Sequence, residues 1–423
     1  MNMTLHADVP IRVLPTDKFK TTTIAFKFMA PLDIDTMTER SLLSKMLVRA
    51  TQKYPTDKAF NQHLSHLYGA YLNSNVSKFK DRHVITISLE IVNERYLPDD
   101  LQLIDEGIQL LKEVILNPLV NEGQFDETFL AQEKRLLQNK LIAIEDNKTQ
   151  LSYLQLLKYM FGDQPYSYPA VGQLDQLADI TPKTLFDTYQ SMLHHDNCSV
   201  YVVGNVDEDA TIQKLASTFN IQSFTYEPKH DTQAINPQQP VNEVVETEDI
   251  DQTKLNMGFR FPTQYGAENY PALIVFNMMF GADPSSVLFN EVREKKSLAY
   301  SIHSQIDGKN GYLFVLSGVS SDAYQDAKET IIDAFEQFKQ GNFTDEKMAL
   351  AKKIILSHRK ELKDRPKQMI ELMHNQILVD KPEPEASFIE RIEAVTKADI
   401  QQLCQQAQLD TIYIMTKAVD DNA

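Results

Sequence analysis

The order of predicted elements occurs twice along this chain of 423 residues, on either side of a polar segment at 226–243. That segment has Pro228, Pro237 and Pro240 among Gln, Asn, Asp and Lys, with few apolar residues, which is typical of an extended linker. Short echoes accompany the repeated order: Gly69-Ala70-Tyr71 in the first half matches Leu298-Ala299-Tyr300 in the second. We therefore predict an internal duplication with a repeat of roughly 200 residues.

Hydrophobic periodicity predicts both strands and helices in each half. Segments 11–19 and 22–29 alternate as a pair of strands, and 71–79 with 82–92 forms a hairpin. The segment 37–51 is predicted as a helix, whose buried face consists of Leu43, Met46, Leu47 and Ala50. The pattern indicates two αβ halves.

Composition excludes several classes of protein. The chain has 42 Lys and Arg against 59 Asp and Glu, a net charge of −17, which argues against nucleic-acid binding. Cys198 and Cys404 are the only cysteines, too few for a disulfide scaffold, and they favour a reducing, cytoplasmic location. We find neither a signal-peptide pattern at 1–10 nor an apolar run of about 18 residues, so no membrane span is expected.

The segment from Arg293 to Tyr300 carries the chemistry that we single out. It follows a loop rich in Gly, Pro and Ser, and a helix is predicted to end near Lys295 before a strand begins near Leu298. In that strand Tyr300 alternates onto the face of Ile302 and Ser304. A sharp turn would bring the guanidinium and the phenol together as donors to a carbonyl or an oxyanion. The simpler interpretation is a helix-end Arg favoured by the helix dipole and an ordinary strand Tyr with a hydrated hydroxyl.

This run resembles the Arg/Tyr segment of the insulinase-type (M16) zinc metallopeptidases. There an Arg and a Tyr at the same seven-residue separation hold the substrate backbone opposite the zinc. Further similarity lies at 164–182 and 201–206. The resemblance implies an α+β fold with two homologous αβ halves (LuxS/MPP-like), each a mostly antiparallel sheet packed by helices. It places the domains at 1–225 and 244–423, joined by the linker at 226–243.

The same resemblance implies that the metal site is lost. Active members carry His-x-x-Glu-His on the helix predicted here at 37–51, and the three motif positions fall on Ser41, Ser44 and Lys45. The third ligand is a Glu seven residues after another Glu; the earlier position matches Glu133 and the ligand position falls on Lys140. Serine is a poor zinc ligand and an ammonium cannot ligate at neutral pH. We expect no metal or cofactor in this chain and zinc in a partner subunit.

Three functional hypotheses follow from this loss. The first is the non-zinc-binding subunit of a heterodimeric M16-type peptidase. In it Arg293 binds the substrate backbone and Tyr300 stabilises the oxyanion beside the zinc of a homologous partner, and the substrate is an unfolded peptide. The second is an inert scaffold or peptide-binding protein, in which Arg293 and Tyr300 are relics or packing residues. The third is a stand-alone peptidase with an unfamiliar metal site.

Two further expectations concern partners. The isolated chain is a candidate homodimer. The resemblance also extends to a zinc-less group of the family in Gram-positive bacteria that is associated with 5-aminopentanol modification of elongation factor P, which gives an expected link to that modification.

Overall fold

A computed structural model describes residues 9–97, 102–220, 240–379 and 383–417, which form two compact units. The first unit contains the described parts of 1–143, 168–228 and 362–375, and the second those of 144–167, 229–361 and 376–423. Most of the predicted linker lies outside the described residues, and Asn242 and Glu243 at its end already belong to a strand. The domain boundaries at 225 and 244 therefore stay a prediction.

The strands of the first unit are β1 (Ile11–Pro15), β2 (Thr21–Pro31), β3 (Tyr71–Phe79), β4 (Arg82–Val92), β5 (Val120–Asn121), β6 (Gln124–Phe125) and β7 (Asn197–Gly204). Those of the second unit are β8 (Asn242–Thr247), β9 (Thr253–Arg260), β10 (Ala299–Asp307), β11 (Tyr312–Val319) and β12 (Gln408–Thr416).

The helices in the described part of the chain are α1 (Ile34–Leu47), α2 (Asp57–His66), α3 (Leu103–Leu116), α4 (Glu127–Asp146), α5 (Lys148–Phe161), α6 (Pro182–His195), α7 (Glu208–Phe219), α8 (Tyr270–Asn277), α9 (Tyr324–Lys339), α10 (Asp345–Leu362), α11 (Pro366–Asn375), α12 (Glu385–Ala394) and α13 (Lys397–Gln406). None of these described helices is long and apolar enough to cross a membrane.

The two large sheets have the same strand order. The first is ordered β1-β7-β2-β4-β3 and the second β8-β12-β9-β11-β10. In each sheet the first pair is parallel and the remaining pairs are antiparallel. The predicted α+β fold with two αβ halves is confirmed, and the duplication is visible in the topology even though the sequence echoes are short.

The predicted pairing of the first two strands is wrong. β7 lies between them, parallel to β1 and antiparallel to β2. The reason is burial: β7 is buried from Cys198 to Gly204, so it suits the sheet interior, whereas β1 is only half-buried and suits an edge. Alternation along β1 and β2 indicates strands but not their neighbours.

One helix in each unit comes from the opposite side of the predicted linker. In the first unit, Ile370 of α11 packs with Ala25, Tyr201 and Val203 on one face of the sheet. The other face of the same strands faces the main core through residues such as Phe26. In the second unit α5 covers the corresponding face of β9 and β12. The central strands are therefore covered on two faces, which explains the nearly continuous burial of β2, β7 and β11.

Candidate functional site

The chain around Arg293 leaves regular α-helical geometry. Phe289–Lys295 form a π-helical segment, and a second such segment, Met278–Ala282, follows α8. π-Helical turns are rare and occur frequently at functional sites. Ser297 closes the segment with a φ of 52°, and the Leu298 N–H donates to the Val292 carbonyl at 2.8 Å. This left-handed residue makes the sharp turn into β10.

Tyr300 lies in a β-bulge at the start of β10. Ala299 pairs with Val319 and Ser301 with Gly318, so Tyr300 is an extra residue in the ladder. The predicted alternation is therefore wrong at this point: Ile302 and Ser304 are buried, whereas Tyr300 is 67% exposed. Among the described residues, its hydroxyl has no hydrogen-bond partner.

The Arg293 side chain is 44% exposed. Its guanidinium carbon lies 4.6 Å from the centre of the Phe289 ring, and Nε is 3.7 Å from the Glu294 carboxylate. The ring contact orients the guanidinium while much of the fork stays accessible to a ligand. Neither Arg293 nor Tyr300 is a buried packing residue, so the structure presents two donors on the surface of the second unit.

On α1, the helix that the resemblance assigns to the metal motif, the three motif positions bind neighbouring protein groups or are buried. Ser41 and Ser44 of α1 are buried, and the Ser44 hydroxyl donates to the Ser41 carbonyl at 2.8 Å. Lys45 is half-buried and donates to the carbonyl and, at 3.3 Å, the hydroxyl of Ser74 on β3. The pKa of Lys45 is lowered by burial and then by the Lys140 ammonium, while Glu133 acts in the opposite direction.

Two positions on α4, Glu133 and Lys140, also match positions of the metal motif. Glu133 is buried and forms an ion pair with Arg49, whose guanidinium also binds Asp57 at 3.2 Å. Lys140 is exposed. The Arg49–Glu133 ion pair thus links α4 to the segment just after α1, and the charges of Glu133 and Lys140 both act on Lys45. The roles assigned to these positions stay a prediction. Two ammoniums and two buried hydroxyls do not fit a zinc ion, and the described residues contain no group of three His, Cys, Asp or Glu that could hold one.

Sequence reasoning missed a buried network around Arg40, in the middle of α1. Arg40 is 3% exposed and binds Asp196 at 2.7 Å, with Nε donating to His83 Nδ1 at 3.0 Å. The second His83 nitrogen lies 2.8 Å from the Ala170 carbonyl. Burial lowers the pKa of His83 to about 4 and raises that of Asp196. No local signal distinguishes Arg40 from the other charged residues of α1, because its partners lie far away along the sequence.

Comparisons with known proteins identify the family. Residues 179–355 match the family model described as "Peptidase M16 inactive domain". The chain is 36% identical over 413 residues to the "Probable inactive metalloprotease YmfF" of Bacillus subtilis strain 168, covering 97% of this chain and 96% of that protein. It is 25% identical over 300 residues to the "Uncharacterized zinc protease YmxG" of the same strain, covering 69% and 71%.

A solved structure gives the same result for the fold. The crystal structure of a conserved protein from Enterococcus faecalis V583 superposes with a TM-score of 0.88 at 30% identity, covering 100% of both chains. Together with full-length similarity to a relative named inactive, this shows that the chain belongs to the M16 metallopeptidase family as a relative of its inactive members.

Proposed function

We propose that this chain is the non-zinc-binding subunit of a heteromeric M16-type peptidase. The observation that carries the proposal is the bulge at Tyr300, which holds a phenol out of the sheet, seven residues after the accessible Arg293. In this role Arg293 binds a backbone carbonyl of an unfolded peptide, and Tyr300 donates a hydrogen bond to the oxyanion at the partner's zinc site.

The partner is a homologue that keeps the zinc motif. Bacillus subtilis strain 168 has both a relative named an inactive metalloprotease and a relative named a zinc protease, which supports a pair of this kind. β10 is the last strand of its sheet within the described residues. Its outer backbone groups would pair with an extended peptide that adds a strand beside Tyr300. The proposed location is the cytoplasm, because Cys198 and Cys404 are buried free thiols.

The second candidate is an inert scaffold that binds a peptide or a partner, with a link to elongation factor P modification. The burial of Ser41 and Ser44 favours it, because these side chains, at positions that the resemblance assigns to the metal motif, are part of the protein interior. Arg293 and Tyr300 would then have no part in turnover.

Peptide cleavage by this chain, by the zinc-motif homologue from the same cell and by their mixture tests the proposal. We expect the mixture to cleave far faster than the sum of the separate chains. Arg293→Gln should lower kcat/KM of the mixture by roughly ten- to a hundredfold, because a hydrogen bond from a charged donor is worth about 1.5–3 kcal/mol. Lys295→Gln, which removes an exposed cation from the same segment, is the control. Equal cleavage by the homologue with and without this chain would establish the scaffold instead.

A further inference from the structure

We propose that the face of the first unit formed by Lys45 and Lys140 binds a carboxylate, supplied by an acidic side chain of an extended peptide. The inference deepens the proposed peptide-binding role by naming the substrate class, and it rests on that role. On this face the family resemblance places a metal cation. In this proposal the lysines of this chain bind an anion there instead.

Lys45 is half-buried and still has donor capacity. Its ammonium has three N–H donors, and the two bonds in the structure go to the carbonyl and the hydroxyl of Ser74. No carboxylate forms an ion pair with Lys45 among the described residues. A third donor therefore remains for a ligand.

Lys140 supplies a second cation on the same side. It lies seven residues after Glu133 on α4, which is about two helical turns further along the same face. Within the described part of the chain, no acidic side chain pairs with it. The Arg49–Glu133 ion pair links α4 to the segment just after α1, and Lys45 lies four residues before Arg49. The charge of Lys140 also acts on Lys45.

The local carboxylates are already engaged. Glu133 and Asp57 both bind Arg49, so the charge of Glu133, which also acts on Lys45, is shared with a guanidinium. This surplus of positive charge stands in a chain whose net charge is −17. A partly buried ammonium gains most from an anionic partner, since charge-assisted hydrogen bonds are stronger in such surroundings.

The edge strand β3 favours an extended peptide as the ligand. Ser74 lies on β3, which is the last strand of its sheet within the described residues. An extended peptide along this edge would place alternate side chains on the face of β3 that α1 contacts, where Lys45 binds Ser74. A Glu or Asp side chain on such a peptide would reach Lys45 and Lys140 together.

The test measures binding of two labelled, unstructured peptides by fluorescence anisotropy, using the full chain alone. Both peptides have a Gly/Ser backbone with blocked ends; one carries Glu at regular intervals and the other Gln. We expect the Glu peptide to bind roughly tenfold more tightly or better. Lys45→Met and Lys140→Gln should each remove most of this preference, and Lys347→Gln, an exposed lysine of the second unit, should keep it.

Equal affinity of wild type for the two peptides would overturn the proposal, as would a preference that survives in the Lys45→Met/Lys140→Gln double variant. Lys140 is exposed, so its variant tests the site without disturbing the core; the Lys45 variant is checked by thermal unfolding. The assay needs no zinc-bearing partner. Its failure is therefore distinct from failure of the mixing experiment.

Discussion

Both halves contain a helix-to-strand junction with a left-handed residue, but the strand that follows is regular in the first half and bulged in the second. In the first, α2 leads through Tyr68, with a φ of 55°, to Tyr71 at the start of a regular β3. In the second, a π-helical segment leads through Ser297, with a φ of 52°, to Tyr300 in a bulge. Tyr71 is 55% exposed and Lys367 lies 5.0 Å from its ring centre, whereas Tyr300 is more exposed and has no such cover among the described residues.

The first helix of each half is also anchored differently. α1 is fixed by buried charges, through Arg40, His83 and Asp196. α8 is fixed by a neutral hydrogen bond, in which the Ser304 hydroxyl donates to the Asn277 side-chain oxygen at 2.7 Å. The first half of the fold thus contains a buried ion pair, Arg40 with Asp196. The second contains two exposed hydrogen-bond donors, Arg293 and Tyr300, on irregular backbone. The four predictions below test this division.

The largest effect is expected at the buried ion pair. Asp196→Asn leaves the Arg40 guanidinium buried without its counter-charge and should lower the unfolding free energy of the first unit by about 3–5 kcal/mol. Asp187→Asn on α6 is the matched control, because its ion pair with Lys183 is exposed and should be worth less than about 1 kcal/mol. Chemical denaturation measures both. Similar costs for the two variants would contradict a charged anchor.

The next effect separates the two equivalent tyrosines. Tyr300→Phe should slow cleavage by the mixed subunits roughly a hundredfold or more, because losing an oxyanion donor costs about 2.7–4 kcal/mol of transition-state stabilisation. Tyr71→Phe keeps the ring under Lys367 and should change kcat/KM little. An effect of Tyr300→Phe below about threefold, or equal effects of both variants, would remove the proposed role.

A smaller effect is the pH dependence of the charged anchor. His83 is neutral in the fold, with a pKa of about 4, whereas an unfolded histidine titrates near 6.5. The unfolded chain therefore binds more protons between these values, and the unfolding free energy should fall by up to about 3 kcal/mol as the pH is lowered from 6.5 to 4. Asp196, with a pKa raised by burial, gives an opposite slope toward the acid end.

The measurement is the difference in pH slope between wild type and His83→Gln, because Asp196 is present in both. His358→Gln removes an exposed histidine from the second unit and controls for loss of an imidazole. An unchanged slope in His83→Gln would show that other groups cause the acid destabilisation.

The smallest effect concerns the turn before Tyr300. Ser297 has left-handed backbone, which costs an L-residue about 1–2 kcal/mol, and glycine avoids this cost but loses about 0.5–1 kcal/mol through unfolded-state entropy. Ser297→Gly should therefore raise the stability of the second unit by at most about 1.5 kcal/mol, and Ser297→Val should lower it. Denaturant midpoints compare the two; a more stable Val variant would refute the strained turn.

Local patterns in the sequence determined the elements, the duplication and the family. Alternation, apolar helix faces and caps such as Thr181-Pro182 depend on near neighbours, so they predicted most helices and strands. The family resemblance predicted that Ser41, Lys45 and Lys140 stand at former ligand positions and Ser44 at the position of the catalytic Glu.

Only the tertiary structure decided which strands are neighbours, which helices cover each sheet and which buried charges pair. β7 separates β1 from β2, α5 and α11 cover sheets on the far side of the predicted linker, and Arg40 meets Asp196 across 156 positions. The bulge that exposes Tyr300 depends on the register of β11 and not on the alternation of β10 itself. Such features arise from competition among distant surfaces for burial and from the need to satisfy buried polar groups, which a local pattern does not record.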